Sequence, residues 1–283
     1  MICLFVDRLT VIDFSSLDPA RGLLGESWLC DLELAGELDA QGMVLDFAEA
    51  KRSVKRLIDE RFDHRLIVPA RHPGLAQEAH DDIRRLRFPY GANRFVMHSG
   101  PGDAVCLVDA ASITPVSLAA AIEAALREIL PTNVASVRIS LREEPIDGAC
   151  YRYSHGLRQH AGNCQRIAHG HRSRIEIHRD GRRAPGLERE WAARWEGVYI
   201  GTRADLAGTP THDGVPYHCF RYAASQGTFE LELPTDRCDL IDADSTVENI
   251  SRHIAAALKT RHPESRFRVR AFEGVDKGAI CEA

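Results

Sequence analysis

Residues 136–149 read SVRISLREEPIDGA, and residues 266–279 read RFRVRAFEGVDKGA. In the first segment Val137, Ile139 and Leu141 alternate with Arg138, Ser140 and Arg142, the period-two pattern of a strand with one buried face. Phe267 and Val269 hold the matching places in the second. Working outward, the preceding segments also match. CLVDAAS (106–112), followed by SLAAAIEAALREIL, resembles CDLIDADS (238–245), followed by ENISRHIAAALK. Leu118, Ile122, Leu126 and Ile129 keep helical spacing, as do Ile250, Ile254 and Leu258. A third pair joins CDLELAGELDAQG (30–42) to RIEIHRDGRRAPG (174–186). Repeats at a long period signal a duplicated architecture. The expected fold class is therefore α+β, with two tandem units at 1–148 and 149–283, each an antiparallel sheet with helices packed on one face. Segments 68–104 and 187–236 find no counterpart.

With 283 residues, 44% of them hydrophobic and 27% charged, the chain is long enough for two domains of ordinary size. A net charge of -5 gives no general attraction to nucleic acid or anionic lipid, so neither is an expected partner. The opening MICLFVDRLTVIDF has no basic leader, carries Asp7 early and lacks a long apolar run. A cytoplasmic location is expected. Eight dispersed cysteines read as reduced thiols rather than a disulfide framework.

The richest stretch chemically is YSHGLRQHAGNCQRIAHGHRSRIEI (153–177). On a strand, His169 and His171 share a face, and Gly170 between them leaves room. A third imidazole, His155 on the preceding strand, completes a three-histidine set with an open position, the form of a catalytic zinc site. The following residues, Arg174 to Ile177, alternate as a sheet edge would. His160 reads as a loop histidine, and Cys164 sits between the proposed ligands in a Gly-Asn-Cys loop. Residues 152–183 also hold Arg152, Arg158, Arg166, Arg172, Arg174, Arg179, Arg182 and Arg183 against Glu176 and Asp180, either a polyphosphate cradle or a solvated strand edge.

Ser154-His155-x-Leu157, then Cys164, then His169-Gly170-His171 before a strand resembles the pattern of the 6-pyruvoyl- and 6-carboxytetrahydropterin synthases. GMVLDFAEAKRSVKRLIDERFDHRLI (42–67) resembles their Gly-x-x-x-Asp-Phe, a helix, then Leu-Asp-His-x-x-Leu-Asn, with Phe62 for the first Leu and Ile67 for Asn. The resemblance implies the tunnelling fold (T-fold), a homo-oligomer, and a Zn2+ ion on His155, His169 and His171. It implies a catalytic Cys164, and an Asp63-His64 pair of the kind family members take from a neighbouring subunit. Glu273, Thr246 and Glu248 correspond to pterin anchors. Ser15, Leu24 and Glu26 stand where the first copy would need histidines. That copy is thus a degenerate one, expected to lend Asp63-His64 to the second. Glu143 reads as a solvated charge left from duplication. Ser245 to Glu248 also reads as a capping box, and Asp63-His64 as a charge pair at a helix C-terminus.

The implied activity is a zinc-dependent lyase converting 7,8-dihydroneopterin triphosphate to 6-carboxytetrahydropterin on the queuosine and deazapurine route. A 6-pyruvoyl product or a folate-type side-chain cleavage are alternatives within the class. From other classes, three histidines with an open position suit a zinc hydrolase, and a degenerate half suits a non-catalytic pterin-binding protein.

Overall fold

The computed structural model describes residues 1–283. The first half contributes β1 (Ile2–Asp18), β2 (Gly22–Gly36), α1 (Phe47–Arg61), β3 (Leu66–Pro69), β4 (Ala76–His80), β5 (Ile83–Tyr90), β6 (Arg94–Pro101), β7 (Val105–Val108), α2 (Pro115–Arg127) and β8 (Val134–Glu143). The second contributes β9 (Cys150–His155), β10 (His169–Arg179), β11 (Arg182–Arg183), α3 (Pro185–Trp195), β12 (Val198–Thr202), β13 (Leu206–Gly208), β14 (Thr211–His212), β15 (Val215–Ala224), β16 (Gly227–Pro234), β17 (Cys238–Ile241), α4 (Val247–Arg261), β18 (Phe267–Phe272) and β19 (Gly278–Glu282). The fold class is α+β.

Two sheets have matching orders, β7-β3-β1-β2-β8 and β17-β12-β9-β10-β18-β19. Their long ladders are antiparallel, and short parallel pairs extend each one, β1 with β3 and β3 with β7, β9 with β12 and β12 with β17. Helices cover one face of each. In α1 the buried residues Ala50, Val54, Leu57 and Ile58 follow helical spacing, and the Asp46 carboxylate caps the helix by accepting from the N–H groups of Ala48 and Glu49. These residues share a core with Leu118, Ile122 and Leu126 of α2 and with Ile12, Phe14 and Trp28 of the sheet. An equivalent core joins α3 and α4 to Tyr151, Tyr153, Ile175 and Ile177.

Ile12 to Leu17 of β1 and Leu23 to Cys30 of β2 are buried at every residue, without alternation. Burial on both faces explains this. One face lies on the helices, and the other meets the second half. The contact is backbone against backbone at Gly25, where an added Cβ would come within 1.8 Å of the Tyr153 carbonyl oxygen and 2.6 Å of the His171 nitrogen. Beside it the Ser15 hydroxyl donates to the Ser154 hydroxyl at 2.7 Å.

Much of the two segments without a sequence counterpart builds a third sheet, β13-β15-β16-β6-β5-β4, but 187–236 also holds most of α3 and all of β12, which occupies the place of β3 in the matching sheet order. The third sheet crosses between the halves, because β16 pairs with β6 through Glu230↔Ser99, Leu231↔His98 and Glu232↔Met97. Beneath it lies a core drawn from both halves, including Leu17, Phe88, Val96, Ile167, Tyr199, Phe220 and Phe229.

Register corrects two readings of the repeat. Cys30 pairs with Leu141, and Ile175 with Ala271, so the counterpart of Cys30 is Ile175 and the pairing of segments 30–42 and 174–186 slips by one residue. Arg174 to Ile177 are not an edge either, since β10 runs between β9 and β18. No helix is long and apolar enough to cross a membrane.

Candidate metal and catalytic centre

His169 and His171 occupy alternate positions at the start of β10, and His155 is the cross-strand partner of His169. Directly opposed residues of an antiparallel pair share a face, so the register gathers all three imidazoles. Ring centroids lie 4.3 Å apart for His155 and His169, 5.3 Å for His155 and His171, and 5.7 Å for His169 and His171. All three side chains are sealed from solvent.

Their Nδ1 atoms face the protein. His155 Nδ1 is 2.9 Å from the Ser245 carbonyl oxygen, His169 Nδ1 is 2.9 Å from the Arg166 carbonyl oxygen, and His171 Nδ1 is 3.2 Å from Asp13 Oδ1. Their Nε2 atoms are buried and have no hydrogen-bond partner. A buried polar atom left unpaired costs about 1–3 kcal/mol. Three such atoms, with candidate ligand atoms within 4.8 Å of one another, fit a divalent metal that satisfies them together. Burial, with neighbouring imidazoles, pushes the pKa values of His155 and His169 well below the ordinary histidine value, so both stay neutral as ligands require.

Cys164, in a short helical turn before β10, forms a second cluster with His64 and His169, again with ligand atoms within 4.8 Å. His64 comes from the first half, its ring 5.2 Å from that of His169. One chain therefore brings the Asp-His pair to the histidines. Asp63 and His64 follow the C-terminus of α1, and His64 turns back with φ 53° while its N–H donates to the Asp13 carbonyl at 2.6 Å. Asp63 Oδ1 accepts from the Asp13 N–H at 2.8 Å, and Oδ2 lies 2.5 Å from His64 Nδ1. Burial opposes charging His64, but the contacts with Asp63 and Cys164 outweigh it and raise its pKa to about 10. His64, Asp63 and Glu273 keep 15%, 18% and 20% of their side chains exposed, whereas the three histidines keep none.

The remaining sequence candidates divide. Glu273 Oε1 is 3.6 Å from His171 Nε2. Thr246 is the N-cap of α4, its hydroxyl accepting from the Asn249 N–H, so the cap lies one residue later than the Ser245–Glu248 capping box expected. Glu248 is exposed, and its side chain makes no hydrogen bond or ion pair. His160 is an exposed loop residue accepting from the Gly162 N–H. The arginine-rich stretch is largely consumed by ion pairs: Arg158 with Asp205, Arg172 with Glu143, Arg174 with Glu144 and Asp276, and Arg183 with Glu188. Arg166 differs, reaching the His64 carbonyl at 3.4 Å without a carboxylate partner. Glu143 is not merely solvated, since Arg152 binds it at 2.6 Å. Register also corrects the degenerate copy. Ser15 pairs with Gly25 as Ser154 pairs with Gly170, so Ser16, not Ser15, stands in the place of His155.

Sequence reasoning missed Asp13. Its carboxylate accepts from the Ser27 hydroxyl at 2.5 Å and from Lys277 at 2.9 Å while lying beside His171. Burial opposes its ionisation, yet His171, Lys277 and Ser27 together hold it below the usual carboxylate range. A lone Asp inside the apolar run Val11 to Leu17 was the available signal. Ser245 holds His155 through a backbone carbonyl, which leaves no mark in a sequence.

The sequence model of the family described as 6-pyruvoyl tetrahydropterin synthase matches residues 16–154. A Methanocaldococcus jannaschii protein named as a 6-carboxy-5,6,7,8-tetrahydropterin synthase is 32% identical over 140 residues, 47% of this chain and 82% of that protein. Among solved structures, the Plasmodium vivax 6-pyruvoyl tetrahydropterin synthase is 20% identical with a TM-score of 0.41, covering 52% of this chain and 93% of that one. The Plasmodium falciparum enzyme gives 19% and 0.42, covering 51% and 92%. A relative this similar over most of its own length decides the kinship: the chain belongs to the 6-pyruvoyl tetrahydropterin synthase family.

Proposed function

We propose that the chain is a zinc-dependent lyase that converts 7,8-dihydroneopterin triphosphate to 6-carboxytetrahydropterin, on the route to queuosine and related deazapurines. One observation carries the reading. Three unpartnered, buried Nε2 atoms stand beside a thiol and an Asp-His pair. The name of the M. jannaschii relative favours the carboxy product over the pyruvoyl one.

His155, His169 and His171 would hold the zinc. When bound, it supplies positive charge that makes a nearby substrate hydroxyl acidic. Cys164 serves as the base at the side-chain carbons, its thiolate form, paired with the imidazolium beside it, taking the carbon-bound proton. His64, held protonated by Asp63 and Cys164, gives its proton to the substrate oxygen where charge develops and recovers one from the Cys164 thiol, and Asp63 fixes the ring's orientation and stabilises its charge. The Glu273 carboxylate accepts paired hydrogen bonds from the pterin's amino and ring N–H groups. Thr246 and Glu248, at the start of α4, are the further pterin contacts. The first unit, 1–148, is degenerate and lends Asp63 and His64 to the second, 149–283. The working form is a cytoplasmic homo-oligomer, and eight free cysteines suit that reducing compartment.

The test is incubation of the zinc-loaded protein with dihydroneopterin triphosphate and identification of the product by mass, with and without a chelator. Chelator-sensitive 6-carboxytetrahydropterin is expected, with Cys164→Ala retaining zinc but releasing no product. Unchanged substrate would overturn the reading. Full turnover by Cys164→Ala would also overturn it, in favour of zinc hydrolysis.

A further inference from the structure

The duplication implies a second place equivalent to the centre just described, and the structure shows what became of it. Gly197 donates its N–H to the Arg152 carbonyl at 2.7 Å, as His64 does to that of Asp13. Glu196 Oε2 accepts from the Arg152 N–H at 3.1 Å, as Asp63 does from that of Asp13. Glu196-Gly197 thus replaces the Asp-His pair, Leu24 and Glu26 replace His169 and His171, and Arg152 replaces Asp13. The Arg152 guanidinium reaches Glu26 at 3.0 Å, Glu143 at 2.6 Å and Glu196 at 3.2 Å. A single cation fills the inner part of this second site, where the other half gathers imidazoles.

The outer part stays open as a cleft of about 420 Å3. Gly197 carries no side chain where the other site has His64, and the Arg237 guanidinium lies over it, 2.4 Å from where a Cβ would stand; Ala20 and Gly91 add little bulk to the walls. Arg21, Arg94 and Arg237 line it, against one lining carboxylate, Glu196, which Arg152 already engages. Arg94 is held by Asp236, and Arg21 lies 3.8 Å from Asp18 and 3.9 Å from Glu196. Arg237 forms no ion pair. A larger cleft on the third sheet, about 870 Å3, sets Arg85, Arg87 and Arg221 against Glu78 and Glu230, a smaller excess of positive charge, and contains none of the functional histidines.

We propose that the vestigial site binds a small phosphate-bearing anion through Arg21, Arg94 and Arg237. The cleft has the size of ordinary small-molecule sites, and planar guanidinium forks match phosphate oxygens in pairs. The inference is independent of the reaction assigned to the histidine centre. It concerns equilibrium binding at a place without a thiol or an imidazole.

Isothermal titration calorimetry on the full, zinc-loaded chain tests it, with inorganic triphosphate, orthophosphate and GTP as separate arms. Triphosphate should bind. The double variant Arg21→Gln/Arg237→Gln should bind it about tenfold or more weakly, since each guanidinium contributes charge-assisted hydrogen bonds. Ala92→Glu, at the exposed tip between β5 and β6, places a repelling carboxylate on the rim and should weaken it similarly, while Glu273→Gln should leave this binding intact. GTP binding tighter than triphosphate identifies a nucleotide as the occupant; equal affinities assign recognition to the phosphates alone. No heat from any arm, or wild-type affinity in both cleft variants, overturns the proposal.

Discussion

Asp13→Asn isolates the link between the halves at the metal centre. Asn keeps the shape of the side chain but removes the charge that lies 3.2 Å from His171 Nδ1. It also offers one oxygen where Asp13 presents two, to Ser27 at 2.5 Å and Lys277 at 2.9 Å. Loss of a carboxylate that orients a ligand histidine weakens metal binding by about 10- to 100-fold, or about 1.4–2.7 kcal/mol. Mass action carries this into stability: zinc at about 100 times the wild-type Kd stabilises the fold by about 2.7 kcal/mol, and after a hundredfold loss by only about 0.4 kcal/mol. The zinc-dependent gain in Tm should shrink by about 5–9 °C for a chain of this size. Zinc affinity is measured by competition with a chromophoric chelator, and Tm with and without zinc. A variant that binds zinc within about twofold of wild type, against this expected loss, refutes the orienting role.

Three further outcomes follow from the same contacts. Gly25→Ala should destabilise the chain by about 1–3 kcal/mol or more, read as a lower urea midpoint, because its Cβ would press on the backbone of Tyr153 and His171; an unchanged midpoint contradicts the close approach. Arg152→Gln leaves the Glu26 carboxylate buried without a cation, held only by the Trp28 indole N–H, and should cost about 3–5 kcal/mol, so a Tm at or above wild type counts against Arg152 as the cation of the vestigial site. In the metal-free protein, His64 has its folded pKa raised to about 10 from an ordinary 6.5. Its contribution is complete below pH 6.5 and is lost as pH rises through 10, at up to about 1.4 kcal/mol per unit between. Stability from pH 6 to 9 should fall more steeply in wild type than in His64→Gln, and parallel slopes would sink the Asp63–His64 pairing.

The parts legible in the sequence were those with a period of their own. Val137, Ile139 and Leu141 alternate because one face of β8 is buried, and the matched segments 136–149 and 266–279 stay in step in the ladders. The slip between 30–42 and 174–186 set Asp31 against Ile175 and so crossed the two faces of the strand; matching the buried alternates Cys30 and Leu32 to Ile175 and Ile177 gives the register of the ladders. The third sheet was hidden for another reason. Its strands form local hairpins except where β6 meets β16, more than a hundred residues away, and nothing local in 76–101 or 206–234 names that partner.

The histidines were visible because His-x-His on a strand needs no distant information, whereas the groups that support them come from afar. Asp13 of the first half lies 3.2 Å from His171 Nδ1 of the second, and Lys277 of the second returns to Asp13. Arg152 of the second half meets Glu26 and Glu143 of the first. Each half thus neutralises charge buried by the other, at the face where Gly25 meets the backbone of Tyr153 and His171. In the first half's equivalent place no imidazole stands, and Arg152 supplies the positive charge that balances buried Glu26. Asp13 and His64 lie instead against histidines of the other half, 3.2 Å from His171 Nδ1 and with a ring 5.2 Å from that of His169, so the contacts that shape the histidine cluster come from the half that has none there.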